Sequence, residues 1–250
     1  MLVPGDNKLK KRQMLDLLGE IEAAGDEVSS LYFPPGSPAR EIAELVSKAL
    51  SYELAATDLE RVLSSPTGAV LFWGEPYRLV VLPPFPIKEK AILVGHTVTP
   101  LRAMLESDFT IGMVLLRLGA YAVGVFHGEK LLASKVGTGL VHARHRQGGS
   151  SQARFARHRE KQAESFFSRV CAHMREQIEP YLERLDYMVY GGERFTLRMF
   201  QKQCAFSELL AGRSLPYRLD VRHPKQATLE VAIEQVWSSR VICWQQSSGL

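Results

Sequence analysis

The residues best placed to do chemistry run from Arg144-His145-Arg146-Gln147-Gly148-Gly149-Ser150-Ser151-Gln152 directly into Ala153-Arg154-Phe155-Ala156-Arg157-His158-Arg159-Glu160-Lys161. Gly148 and Gly149 can take backbone conformations closed to other residues and allow close approach to another molecule. No acid and no cysteine lies in the loop. Chemistry there would fall to backbone N–H groups, the hydroxyls of Ser150 and Ser151, and the amide of Gln152. The segment from 142 to 161 holds Arg144, Arg146, Arg154, Arg157, Arg159 and Lys161 against one acid, Glu160, whereas the whole chain carries +4. The protein therefore reads as a near-neutral body with one basic patch. A partner facing that patch is expected to carry phosphates.

A loop of this kind needs elements on both sides to hold it out. After it, Ala156, Ala163, Phe167, Val170, Met174 and Ile178 fall within about 40° of one line at about 100° per residue, which predicts a long helix with a core face. Arg154, Arg157, His158 and Lys161 gather roughly opposite, over the first turns only. Before the loop, the stretches Phe109–Leu118, Tyr121–Phe126 and Lys130–Val136 are separated by Leu118-Gly119-Ala120 and His127-Gly128-Glu129, the pattern of an antiparallel meander. Beyond the helix, Tyr187–Tyr190 reads as a strand with Gly191-Gly192 as its turn. A helix is expected over Glu193–Phe206, a strand over Tyr217–Val221, a helix over Gln226–Trp237 and a short strand over Val241–Trp244.

The first part of the chain has its own pattern. Leu9, Met14, Leu17, Leu18 and Ile21 predict a helix over 8–24, and Val28–Phe33 a strand. Ser37-Pro38 opens a helix carrying Ile42, Leu45, Val46 and Leu50. Gly68–Gly74 and Tyr77–Leu82 read as a strand pair, Lys90–Val94 as a further strand, and Thr99-Pro100 as the start of a helix. The expected fold class is α+β, a mixed α/β architecture in two domains, 1–107 and 108–250. The second is expected to be a mixed sheet packed with helices, carrying the Gly-Gly loop before the long helix.

At 250 residues, 46% hydrophobic and 23% charged, the chain has the makings of a globular protein with a sizeable core. The cysteines are Cys171, Cys204 and Cys243, far apart and without ligand-like spacing to histidine. Neither a zinc site nor a disulfide framework is expected, and a cytoplasmic setting fits. No apolar run approaches the roughly 20 residues that span a bilayer, so no membrane partner is expected. No metal or cofactor is implied.

With the loop, helix and meander identified, the chain resembles the class I translation release factors of archaea and eukaryotes. Gly148-Gly149 followed by Arg154-Phe155-Ala156-Arg157 is similar to that family's Gly-Gly-Gln loop and the opening of its helix. Leu31-Tyr32-Phe33-Pro34-Pro35-Gly36 resembles the end of a strand in their first domain. Gly68–Gly74, Pro83-Pro84-Phe85-Pro86-Ile87 and Pro100-Leu101-Arg102-Ala103-Met104-Leu105-Glu106 resemble later landmarks in the same order. Three departures qualify the likeness. The family's codon-reading segments are absent, with Ile92-Leu93-Val94-Gly95-His96 standing about where one would be. No third, GTPase-docking domain is expected, since the sequence runs to Leu250. Ser150 stands where the family has its glutamine, and the nearest glutamine is Gln152. The displaced glutamine is similar to that of a sister group, the release-factor-like peptidyl-tRNA hydrolases of ribosome quality control, known as ankyrin-and-zinc-finger proteins in animals.

That resemblance implies a monomeric, codon-independent enzyme acting on peptidyl-tRNA at the ribosome, with the large subunit as the expected site. Gly148 and Gly149 would supply N–H donors to the oxyanion, and Gln152, or Ser150 or Ser151, would orient the water. Arg144, His145, Arg146, Arg154, Arg157, His158 and Lys161 would contact RNA. Two other readings fit the same residues. The chain could cut tRNA near its 3′ CCA end, with His142, His145 or His158 as a base. It could also be a non-catalytic module that only binds the ribosome or tRNA.

Overall fold

The computed structural model describes residues 5–24, 29–50, 56–74, 77–95, 97–139 and 151–243. In chain order, the first elements are β1 (Gly5–Leu9), α1 (Lys11–Ala23), β2 (Ser29–Phe33), α2 (Ala39–Leu50), α3 (Ala56–Leu63), β3 (Ala69–Trp73), β4 (Arg78–Leu82), β5 (Ala91–Val94) and α4 (Thr99–Glu106). Then follow β6 (Thr110–Arg117), β7 (Ala120–His127), β8 (Lys130–Thr138), α5 (Ser151–Ile178), a 3-10 segment (Glu179–Arg184), β9 (Leu185–Gly192), α6 (Arg194–Gln203), α7 (Ala205–Leu209), β10 (Ser214–Leu219), α8 (Gln226–Val236) and β11 (Ser239–Cys243).

The chain divides into two compact units, Met1–Ser107 with Glu234–Leu250, and Asp108–Ile233. A second domain running unbroken from 108 to 250 is therefore not what forms. The reason is β11, whose Val241 pairs with Val81 of β4 on one side and with Asn7 of β1 on the other. The sheet of the first unit needs this strand to complete its order, β1-β11-β4-β3-β2-β5. β1 itself lies in a stretch expected to lead into a helix. Its sequence Gly-Asp-Asn-Lys-Leu is polar and mostly exposed, so it carries none of the alternation that marks a strand.

In the first unit β3 is buried at all five positions, because both faces of the antiparallel sheet are covered. Val70 and Phe72 join Met14, Leu18 and Ile21 of α1 and Leu101 and Leu105 of α4 in one core. Ala69 and Leu71 point the other way, to Ile42 and Val46 of α2 and Val62 of α3. Burying a strand on both faces is why Gly68–Gly74 reads as continuous apolar sequence.

The second unit is a mixed sheet in the order β10-β9-β6-β7-β8. β6, β7 and β8 form the expected antiparallel meander, while β9 and β10 add in parallel beside β6. Val114, Leu116, Tyr121, Val123 and Val125 face a core shared with Phe166, Phe167, Val170 and Met174 of α5 and Leu197 and Phe200 of α6. On the opposite face Leu229 of α8 lies against Gly124. Gly191 and Gly192, expected as a turn, instead end β9. A Cβ on Gly192, at φ +122°, would meet the Leu116 backbone oxygen at 1.9 Å, and one on Gly191 would meet Leu115 at 2.7 Å. Their role is close strand packing, which a local sequence pattern does not reveal.

Candidate functional site

The helix α5 is the element that presents the candidate site. It is 28 residues long, about 42 Å at about 1.5 Å per residue. Its two halves have different surroundings. Phe166, Phe167, Val170, Met174 and Ile178 are buried on the sheet, with Ala163 partly so. Among the earlier residues, Arg154, Arg157, His158, Glu160 and Lys161 are exposed, and Arg159 is half-buried. From Arg154 to Lys161, about 12 Å of helix, none of the described side chains belongs to that core. Mutual repulsion of these cations is tolerable only in water or opposite an anion.

The end of β8 is fixed beside the middle of this helix. Gly139 packs against the Phe166 ring, so closely that a Cβ would fall 2.5 Å from Phe166 Cδ2. The Gly139 N–H donates to Gly119 O at 2.9 Å, and Arg169 Nη1 donates to Thr138 O at 3.3 Å. These contacts set where the chain leaves the sheet for the segment 140–150.

The buried half is clamped on its other sides. The Tyr121 hydroxyl hydrogen-bonds to His173 Nδ1, and burial pushes the Tyr121 phenol up from its ordinary pKa. Gln203 Nε2 donates to Glu164 O at 2.8 Å and to Ser168 Oγ at 2.9 Å. Cys171 and Cys204 form a disulfide with Cα atoms 5.6 Å apart. The expectation that the three cysteines would make no disulfide is thus corrected. The two residues are 33 positions apart, and only the packing of α5 against the α6–α7 junction brings them together. Cys243 stays a free thiol.

Several expected site residues lie outside the described residues: Arg144, His145, Arg146, Gly148, Gly149 and Ser150, and with them His142. Ser151 and Gln152 are the first two residues of α5. Gln152 therefore belongs to the first helical turn rather than to the loop before it. Arg154, Arg157, His158 and Lys161 share the exposed basic half, as the helical spacing predicts. Among the described residues no group of three or more His, Cys, Asp or Glu could hold a metal ion. No helix among them is long and apolar enough to cross a membrane.

The arrangement is a sheet-anchored helix with exposed cations in its first turns, preceded in sequence by Gly148-Gly149. Residues 110–242 match the protein family described as the Actinobacteria/chloroflexi VLRF1 release factor, more than half of the chain. The chain belongs to this release-factor family. The matched span includes the meander, the Gly-Gly segment, α5 and the elements after it. A peptide chain release factor subunit 1 from Aeropyrum pernix is 27% identical over 249 residues, covering 84% of this chain and 62% of that protein. One from Archaeoglobus fulgidus is 32% identical over 101 residues, 40% of this chain and 25% of its own length. The chain thus spans less than two thirds of the length of these relatives. Among solved structures, an archaeal translation termination factor aligns over 92% of this chain and 73% of its own at 22% identity with a TM-score of 0.42. Archaeoglobus fulgidus Pelota aligns over 93% and 62% at 11% identity with a TM-score of 0.34.

Two features escaped the sequence reading. One is the disulfide, for which the sequence carried no signal. The other is the outer face of α6, where Arg194, Arg198 and Lys202 follow one another at intervals of four and are all exposed. That spacing was visible in the sequence, beside exposed Phe195 and Met199.

Proposed function

We infer that this chain releases nascent peptides from peptidyl-tRNA on stalled ribosomes or large subunits, by hydrolysing the ester to the terminal ribose. The observation that carries the reading is the pairing of Gly148-Gly149 with an exposed, cationic helix start, inside a segment that matches a release-factor family. Arg154, Arg157, His158 and Lys161 hold the phosphates of the tRNA end, and Gly148 and Gly149 offer N–H donors where the oxyanion develops. Losing one such donor typically costs about 2.7–4 kcal/mol of transition-state stabilisation. Gln152, in the first turn of α5, orients the water, or Ser150 or Ser151 does so in its place. None of these groups is a strong base, so the ribosome and the tRNA ribose supply the remaining positioning.

Codon independence follows from the lack of codon-reading segments in the first unit. The displaced glutamine, Gln152, groups the chain with the ankyrin-and-zinc-finger hydrolases of ribosome quality control. The chain acts as a cytoplasmic monomer with the large subunit as its platform. Product analysis tests the chemistry. Stalled complexes carrying labelled peptidyl-tRNA should yield free peptide and a full-length deacylated tRNA. A tRNA lacking its CCA end would instead make the chain a nuclease, with His142, His145 or His158 as the candidate base. Ribosome binding without any product would make it a binding module.

A further inference from the structure

The helix α6 carries a surface that the hydrolytic reading does not use. Glu193 caps it, its carboxylate accepting from the backbone N–H groups of Phe195 at 3.1 Å and Thr196 at 3.0 Å. Thr196, Leu197 and Phe200 turn inward to the core. The rest of the helix faces water in two adjacent stripes. Arg194, Arg198 and Lys202 form the first, each about 40° from the last at 100° per residue. Phe195 and Met199 form the second, 68% and 44% exposed. Among the described residues no ion pair engages Arg194, Arg198 or Lys202. The Phe195 ring lies two-thirds in water beside these three cations, while Leu197 and Phe200 fill the core side.

We propose that the exposed face of α6 is a second RNA-docking surface, which holds ribosomal RNA while the start of α5 engages the tRNA end. The proposal rests on the reading that the chain works on the ribosome. Cations spaced along one helix match phosphates along one strand. An aromatic ring beside them gives an unstacked base a platform, the combination used on single-stranded nucleic acid. That pairing decides between the two RNAs. The acceptor end of a tRNA is a regular duplex up to its CCA tail, and a duplex offers no splayed base. Loops and bulges of ribosomal RNA do. The position agrees: Gln203 at the end of α6 meets α5 at Glu164 and Ser168, about 20 Å along that helix from Ser151.

The test is binding of the chain to purified large ribosomal subunits carrying peptidyl-tRNA, titrated over a range of KCl, with free deacylated tRNA as a second probe. The variant Arg194→Gln/Arg198→Gln/Lys202→Gln should bind the subunits about tenfold or more weakly at low salt. Its log–log salt slope should be shallower by about 2, at about 0.7 per phosphate. Phe195→Ala should weaken binding about tenfold with the slope unchanged. Neither should alter binding to free tRNA. All the altered side chains are exposed, and Arg198→Gln alone, with a slope change of about 0.7, decides the matter if the triple variant does not fold. Wild-type affinity and slope in the triple variant would overturn the proposal, and so would an equal loss on free tRNA. Release is read separately: a wild-type chain that binds subunits but frees no peptide fails the hydrolytic reading and not this one.

Discussion

The two halves of α5 belong to one helix and obey opposite rules. From Ala163 to Ile178 the helix is held by a core, a disulfide, a tyrosine–histidine hydrogen bond and two hydrogen bonds from Gln203. From Arg154 to Lys161 it carries exposed cations and no comparable anchor among the described side chains. Isolated helices shorter than about 12–15 residues are marginal in water, so the first half persists because the second is already helical. The exposed cations thereby sit on a helix whose later turns are fixed to the sheet. The difference separates two kinds of residue: one set whose loss costs stability, and one whose loss should cost binding.

Substitutions should respect that division. Phe166→Ala removes a ring that is 1% exposed and packs against Gly139 and Tyr121, and should lower unfolding free energy by about 3–5 kcal/mol in a denaturant titration. Reduction of the Cys171–Cys204 disulfide, or Cys171→Ala, should cost about 2–4 kcal/mol in the same titration. At the other end of the helix, Arg157→Gln should change stability by less than about 0.5 kcal/mol while flattening the salt dependence of RNA binding. A loss of stability in Arg157→Gln equal to that of Phe166→Ala would erase the distinction between the halves.

The sheet that bears α5 was largely legible. The meander β6–β8 announced itself by apolar runs between glycine turns, and the core face of α5 by helical spacing. What escaped was long-range. β1 is too polar to read as a strand, and its partner β11 lies more than 200 residues away. The return of β11 to the first sheet, and the use of Gly191 and Gly192 as close-packed strand residues, depend on neighbours distant in sequence. The cysteine pair failed for the same reason. At the site, the basic turns were readable from residue type and spacing, whereas the exposure of Phe195 and Met199 on α6 required knowing which face of that helix the core occupies.

A smaller effect concerns the start of α6. The hydrogen bond from Thr196, joined by the backbone N–H groups of Thr196 and Phe195, holds the Glu193 carboxyl below the usual carboxylate range. Because the folded value is depressed, the stabilisation is present above the ordinary glutamate pKa and is lost as pH falls through the folded value. Glu193→Ala should cost about 1 kcal/mol near neutrality and progressively less in acid, as seen in unfolding midpoints across pH. A cost that grew toward low pH would contradict the capping role.

The central claim is that the Gly-Gly segment and the first turn of α5 act on the ester of peptidyl-tRNA. The most direct measurement is the rate of peptide release from stalled large-subunit complexes by the wild-type chain, Gly149→Ala and Gln152→Ala, each at saturating concentration. The account predicts release by the wild type, a marked loss for Gly149→Ala, whose added Cβ restricts the backbone and the close approach of the ester, and a marked loss for Gln152→Ala, with binding retained in both. Equal rates in all three would contradict it.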